Sequence, residues 1–481
     1  MNPNPDAPVG LYLGALIVYA LGLIGFGLWI SRRMKGADGF FVAGRRLGPG
    51  LIFSTFLAAN IGSGSLIGAA GLGYRDGISA WWWVGSAGIG TLILAMWVGP
   101  KLWRVATQNG LYTAGDYLEL RYGSAVRATI AVLLWMATLY ILSGQLIAMS
   151  QIFEYVLGAD RWVGALLGGV VVTVYFTAGG LWSSAWVNMV QLGVLLVGML
   201  IAVPLALSAA GGWEAVQAAA PNQADWSSVW TGPESGWIMM AFLVPAFVVS
   251  PGLLQKSWGA RDERALRLGI GIQGLVLMAF AFVPALLGMI AHVYAPDLGA
   301  NSEFAVPVVL TQGLPPLIGA LGLAAVFSAE VSTADAVLFM LSTSLSKDLY
   351  KRYVSPQATD EQVLRVARRA AVVGGVLGLV LAIINPTVLG ALTMFYALLA
   401  VILSVPIIAG LYSKRGGVPE ALASIGAGVA VLFTMQLDAL SGANRLLDPT
   451  LLGVLASGVA FVLVALVRRR APSSPSGGKT A

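Results

Sequence analysis

The chain has 481 residues, of which 58% are hydrophobic and only 10% charged, with a formal net charge of +6. Soluble globular chains carry about 25% charged residues, so this one has too few to coat a water-soluble body, and its surface must face lipid. Cys 0 and a single histidine, His292, exclude disulfides, thiolate metal sites, cysteine nucleophiles and multi-histidine metal centres.

A lipid core of about 30 Å needs about 20 apolar residues per helix. In chain order, apolar runs near 10–31, 48–72, 79–103, 125–154, 161–177, 185–209, 236–254, 267–293, 315–345, 371–384, 388–412, 419–436 and 449–467 predict an all-α integral membrane protein with about thirteen transmembrane helices. The first run has no basic region before it and is long enough to span, so it reads as a span and not a cleavable signal. The run 371–384 is short, and the charge pattern requires it. With thirteen spans, all but three of the 28 Lys and Arg residues fall on one side, Lys256 among the loop residues there. Arg75, Arg161 and Arg445 are left on the other. The positive-inside bias then puts the N-terminus outside and the C-terminus in the cytoplasm, in the cell inner (plasma) membrane.

Residues 1–470 form one transmembrane domain, and the polar tail 471–481 reads as disordered. DEQVLRVARR, 360 to 369, has the charge spacing of a short solvated surface helix. The 60 glycines, spread through the apolar runs, predict a closely packed bundle. The basic residues sit in short clusters between apolar runs, so no nucleic-acid partner is expected.

Interruptions of helix in lipid are informative, because backbone groups there must be satisfied internally. The second span reads FLAANIGSGSLIGAAG (56–71), with Asn60, Gly62, Ser63, Gly64 and Ser65 in its middle. An unwound segment there frees carbonyls that suit a dehydrated cation; close packing of intact helices is the alternative. The seventh span reads PAFVVSPG (245–252), and Pro245 and Pro251 each remove a backbone donor. Interruptions five spans apart suggest two inverted halves, spans 2–6 and 7–11. The ninth span carries SAEVSTAD (328–335). Glu330 and Asp335 are carboxylates within the membrane, where ionisable groups are costly and usually functional. Ser332 and Thr333 are adjacent hydroxyls one turn after Ala329, hard oxygen ligands for an alkali cation. Hydroxyls in membrane helices also bond their own backbone, which is the ordinary alternative.

These residues resemble the sodium:solute symporter family, over most of the chain. The resemblance rests on FFVAGRRLGPG (40–50), AANIGSGS (58–65), TAGDYLELRYG (113–123), GGLWSSAWVNMVQ (179–191), LLQKSWGARDE (253–263) and STADAVLFMLSTSLSKDLY (332–350), in this order and spacing. It implies an inverted five-plus-five core, the repeats at about 47–209 and 236–412, with one extra helix before and two after. It implies a sodium site made by the carbonyls of Ala58, Ile61 and Ala329 and the hydroxyls of Ser332 and Thr333. It also implies sodium-coupled symport of a small organic solute by alternating access, with no cofactor besides the coupling ion. The expected partners are sodium, the solute and the bilayer, and the chain is expected to function as a monomer.

The chain departs from the family's pattern at two places. Many relatives have an aspartate where this chain has Asn188, and two-sodium members have serine at the position of Ala329. One coupled cation per cycle is therefore expected. Glu330 is not a usual feature of the motif, and a hydrogen bond to Gln145 or Asn188 is its expected role; Asn188, Glu330 and Asp335 are the coupling candidates. Asp335 is expected toward the cytoplasmic end, neutralised by Lys347 or arginine neighbours. The family places solute near the midplane, where this chain offers Asn60, Ser63, Ser65, Ser250, Gln273, Phe395 and Tyr396. No lysine or arginine is expected deep enough to pair with an anionic solute. Trp81, Trp82 and Trp83 read as an interfacial aromatic belt, and Pro386, Gly390 and Pro406 as candidate hinges. The rival readings are a proton-coupled carrier using Glu330 or Asp335 and a membrane-embedded solute sensor. An enzyme is not expected, because no nucleophile, metal cluster or acid–base pair is present.

Overall fold

The computed structural model describes residues 8–31, 42–221, 226–232, 236–385, 387–413, 416–440 and 448–470. The tail 471–481, Pro386 and the basic residues Arg32, Arg33, Lys35, Lys414, Arg415, Arg445 and Lys479 lie outside them. Helices make up the described residues, with no strand beyond one isolated bridge between Leu47 and Ala260.

The helices are α1 (Val9–Ser31), α2 (Pro49–Asn60), α3 (Ala69–Asp76), α4 (Trp81–Ile93), α5 (Gly99–Gln108), α6 (Ala114–Tyr122), α7 (Ser124–Leu157), α8 (Arg161–Ala209) and α9 (Gly212–Ala218). They continue as α10 (Trp237–Val249), α11 (Pro251–Trp258), α12 (Glu263–Phe280), α13 (Phe282–Tyr294), α14 (Ala305–Gln312) and α15 (Pro316–Thr343). The last four are α16 (Asp360–Ile384), α17 (Val388–Tyr412), α18 (Val418–Leu440) and α19 (Pro449–Arg470).

Among the described residues, 10 helices are long and apolar enough to cross a membrane, or 11 if the bent pair α10–α11 is one span. The thirteen apolar runs thus fall on fewer separate helices. Runs 161–177 and 185–209 both fall within the range of α8, whose apolar stretches are Arg161–Thr173 and Ser184–Ala209. The run 371–384 is the second part of α16, and DEQVLRVARR is its first part rather than a separate surface helix. A reciprocal capping box between Thr359 and Gln362 starts that helix, so its charged turns extend the short apolar run instead of ending it.

Two helices break where the sequence is interrupted. After α2, Ile61 is extended (φ −101°, ψ 100°), and helix resumes at Gly64. Gly62 is required by close approach: a Cβ there would meet Thr333 Cβ at 2.6 Å and Gln145 Oε1 at 2.7 Å. Ser250 (φ −54°, ψ 118°) separates α10 from α11, which bend by 40°. Pro251 sits at the first position of α11, where its missing N–H costs nothing.

The half-helices α2 and α11 are tied at their far ends: Leu47 N donates to Gly259 O at 2.9 Å and Arg261 N to Leu47 O at 3.0 Å. The bundle core is α15, which packs along α8 and α7 and is buried from Leu323 through Thr343. At the basic end, Arg127 of α7 is 7% exposed and meets three carboxylates, Asp116 at 2.7 Å, Glu119 at 2.6 Å and Asp348 at 2.8 Å.

Candidate cation and solute site

The break after α2 leaves carbonyls without helical partners, and α15 lies across from it. Ser332 Oγ is 2.9 Å from Ala58 O and 2.9 Å from Ala329 O. Thr333 Oγ1 is 3.1 Å from Ala58 O and 3.1 Å from Ile61 O. The three carbonyls and two hydroxyls named from the sequence therefore converge on one point, all within buried residues. Each hydroxyl donates to the carbonyls it faces and keeps its oxygen lone pairs as further acceptor sites. Hard oxygen donors with no carboxylate among them suit a monovalent cation, since a divalent one would keep its charge uncompensated.

A polar network lies one turn earlier in α2, at Thr55. Asn188 Nδ2 donates to Ser184 Oγ at 3.2 Å and approaches Thr55 Oγ1 at 3.5 Å. Ser184 Oγ donates to Asp335, and Lys256 Nζ donates to Thr55 O at 3.0 Å. Asp335 is thus held by Ser184, with Lys256 a cation acting on it, rather than by a position near the basic end. Glu330 corrects an expectation. Gln145 Oε1 accepts from Ser63 N at 3.0 Å, and Asn188 is engaged as above. Glu330 is 0% exposed, and neither carboxyl oxygen has a hydrogen-bond partner among the described residues.

Beside the cation point lies a narrow cavity of about 40 Å³. Of the solute candidates, Asn60, Ser250, Phe395 and Tyr396 line it. Ser63, Ser65 and Gln273 do not. Ser63 is fully buried, with its backbone N–H held by Gln145; Ser65 Oγ donates to Asn60 O at 2.5 Å; Gln273 is buried in α12. The cavity also takes Phe247, Met340 and Lys256, which sequence reasoning missed.

Lys256 is the consequential omission. It is 1% exposed, so a basic residue does sit deep in the bundle. The signal was present: it lies five residues after Pro251, only about 8 Å along a half-helix that starts at the break. The tryptophan run also departs from expectation. Trp82 and Trp83 are each 6% exposed, Trp81 Nε1 donates to Met278 O at 2.9 Å and Trp82 Nε1 to Val229 O at 2.8 Å. Trp83 meets Tyr396 edge-on, with ring centroids 6.2 Å apart. Trp83 thus packs on a ring that lines the cavity, and Trp82 and Trp83 are enclosed rather than set in an exposed belt.

The family model described as "Sodium:solute symporter family" matches residues 40–428. The chain belongs to that family. It is therefore a multi-pass membrane transporter rather than an enzyme, with sodium as its coupling ion and a small solute as cargo. A symporter of this family in Escherichia coli, the sodium/pantothenate symporter, is 28% identical over 92% of this chain and 94% of its own length. The sodium/glucose cotransporter of Vibrio parahaemolyticus is 26% identical over 76% of this chain and 73% of that one. The high-affinity proline transporter of Bacillus subtilis is 25% identical over 93% and 96%. Among solved structures, a sodium-coupled sialic acid symporter in a substrate-bound outward-open state matches with a TM-score of 0.77 at 20% identity. It covers 96% of this chain and 99% of its own. The fold is shared with that symporter.

Proposed function

We propose that this symporter carries a small organic solute into the cell with one sodium ion per cycle, by alternating access. The carrying observation is the meeting of Ala58, Ile61 and Ala329 carbonyls with the Ser332 and Thr333 hydroxyls at the break after α2. Sodium at that point ties α2 to α15, and its differential affinity between states sets how far it shifts the equilibrium. One charge moving down 100 mV supplies about 2.3 kcal/mol, to which the sodium gradient adds. The solute sits in the adjacent cavity against Asn60, Ser250, Phe395 and Tyr396, so both ligands leave together when the half-helices α2 and α11 part. The relatives' named solutes (glucose, pantothenate, proline) support the solute class. With Asn188 and Ala329 where two-sodium members carry aspartate and serine, a second sodium site has no equivalent ligands.

The topology we propose keeps the thirteen spans of the hydropathy pattern as inverted repeats at about 47–209 and 236–412. The N-terminus is outside and the C-terminus cytoplasmic, in the inner (plasma) membrane, with the monomer as the working unit. Uptake of labelled sugars, amino acids and carboxylates into proteoliposomes, with and without an inward sodium gradient, tests the function. Uptake indifferent to sodium across the panel would overturn it. The unpartnered Glu330 carboxyl favours one second reading, proton coupling on the same fold. Accumulation driven by a pH gradient in sodium-free buffer, and lost in Glu330→Gln, would select that reading.

A further inference from the structure

We propose that the transported solute is a short-chain carboxylate whose anionic head docks on Lys256, in the last turn of α11. This deepens the solute-transport reading above and rests on it.

Lys256 is 1% exposed and lines the cavity. Its hydrogen bond among the described residues is to Thr55 O, a neutral carbonyl, so two of its three N–H donors remain. Asp335 acts on it electrostatically, and the one hydrogen bond of Lys256 among the described residues is that to Thr55 O. The first turn of α11 adds to this. Gly252 and Leu253 line the same cavity, and backbone N–H groups in a first helical turn lack intrahelical acceptors. The half-helix dipole is positive at that end. Asn60 lines the same cavity and is 8% exposed, and its enclosed Nδ2 has no hydrogen-bond partner among the described residues. No aspartate or glutamate lines the cavity.

Ammonium, helix N-terminus and amide donor together call for an anion with several acceptor lone pairs. The remaining walls, including Phe247, Phe395 and Met340, are apolar and suit a carbon chain. A halide would leave those walls unused, whereas a carboxylate uses both ends of the cavity. The volume of about 40 Å³ is little more than one water's share of the liquid, about 30 Å³, so the walls must part to admit even an acid of few carbons.

The test uses the full-length protein in lipid nanodiscs, reading thermal stability against ligand concentration at saturating sodium. The probes are propionate, its neutral isostere propionamide, acetate, lactate, pyruvate and iodide. We expect at least one acid to stabilise the wild type, propionamide to be at least tenfold weaker than propionate, and iodide to have no effect. Lys256→Gln should weaken the acids at least tenfold and erase the preference for acid over amide; Lys256→Arg should retain it. A merely structural lysine would lower stability without changing that preference. Should Lys256→Gln fail to fold, judged by loss of the sodium-induced shift, Lys256→Arg and Asn60→Ala decide, the latter expected to weaken the acids several-fold. Equal binding of propionate and propionamide, equal binding of iodide, no binding by any acid, or an unchanged preference in Lys256→Gln each overturns the proposal. Acid binding that persists while sodium has no effect on the wild type sinks the sodium-coupling reading and leaves this one standing.

Discussion

Thr333 Oγ1 lies 3.1 Å from the carbonyl oxygen of Ile61, joining the centre of α15 to the one extended residue at the break after α2. A continuous helix at residues 58–65 would have spent the Ile61 carbonyl on its own backbone. The break and the hydroxyl are therefore joined in one contact, on which the proposed cation site depends.

Thr333→Ala removes one oxygen from the proposed cation site. Loss of one partner to a charged group costs about 1.5–3 kcal/mol, or roughly 10- to 100-fold in affinity. The sodium concentration for half-maximal uptake should rise by that factor, and Thr333→Ser should restore it because Oγ stays in place. An unchanged sodium dependence in Thr333→Ala removes this residue from the site.

Gly62→Ala tests the close approach. Its Cβ would meet Thr333 Cβ at 2.6 Å and Gln145 Oε1 at 2.7 Å, so the break must move away from α15 and α7. Overpacking of this kind costs about 1–3 kcal/mol, and sodium activation should weaken along with stability. Gly25→Ala in α1, where nothing lies within 4 Å, is the control and should match the wild type in a thermal-unfolding assay.

Arg127→Gln should destabilise the protein strongly. The guanidinium neutralises Asp116, Glu119 and Asp348, and Asp348 is itself buried. Breaking a buried pair by removing one partner costs about 3–5 kcal/mol, because the remaining charge is left uncompensated. The midpoint of thermal unfolding in nanodiscs should drop by several degrees or more; a wild-type midpoint would show the cluster to be solvated.

Glu303→Ala should loosen the start of α17. The Glu303 carboxylate accepts from Val388 N and Leu389 N at 3.0 Å each and from Gln151 Nε2 at 2.9 Å. Its loss strands donors in a buried place, at about 1–3 kcal/mol. Hydrogen exchange at residues 388–389 should quicken. Solute affinity should fall as well, because α17 carries Phe395 and Tyr396 into the cavity. Exchange at the wild-type rate would show that another group holds this helix end.

Composition and hydropathy alone fix the class of molecule and the places where its helices fail. Lipid offers no hydrogen bonds, so Asn60 through Ser65 and Ser250–Pro251 stand out on a one-dimensional reading, and with them the hydroxyl pair Ser332 and Thr333. Depth and pairing were decided only in three dimensions. Lys256 looks like a loop cation when basic residues are sorted by distance from apolar runs; the 40° bend at Ser250 is what carries α11 into the bundle and buries it. Trp82 and Trp83 look like a belt until packing encloses them, and DEQVLRVARR looks detached until Thr359 caps it onto α16. In each case local composition sets what a residue tolerates, while neighbours far along the chain set what it touches.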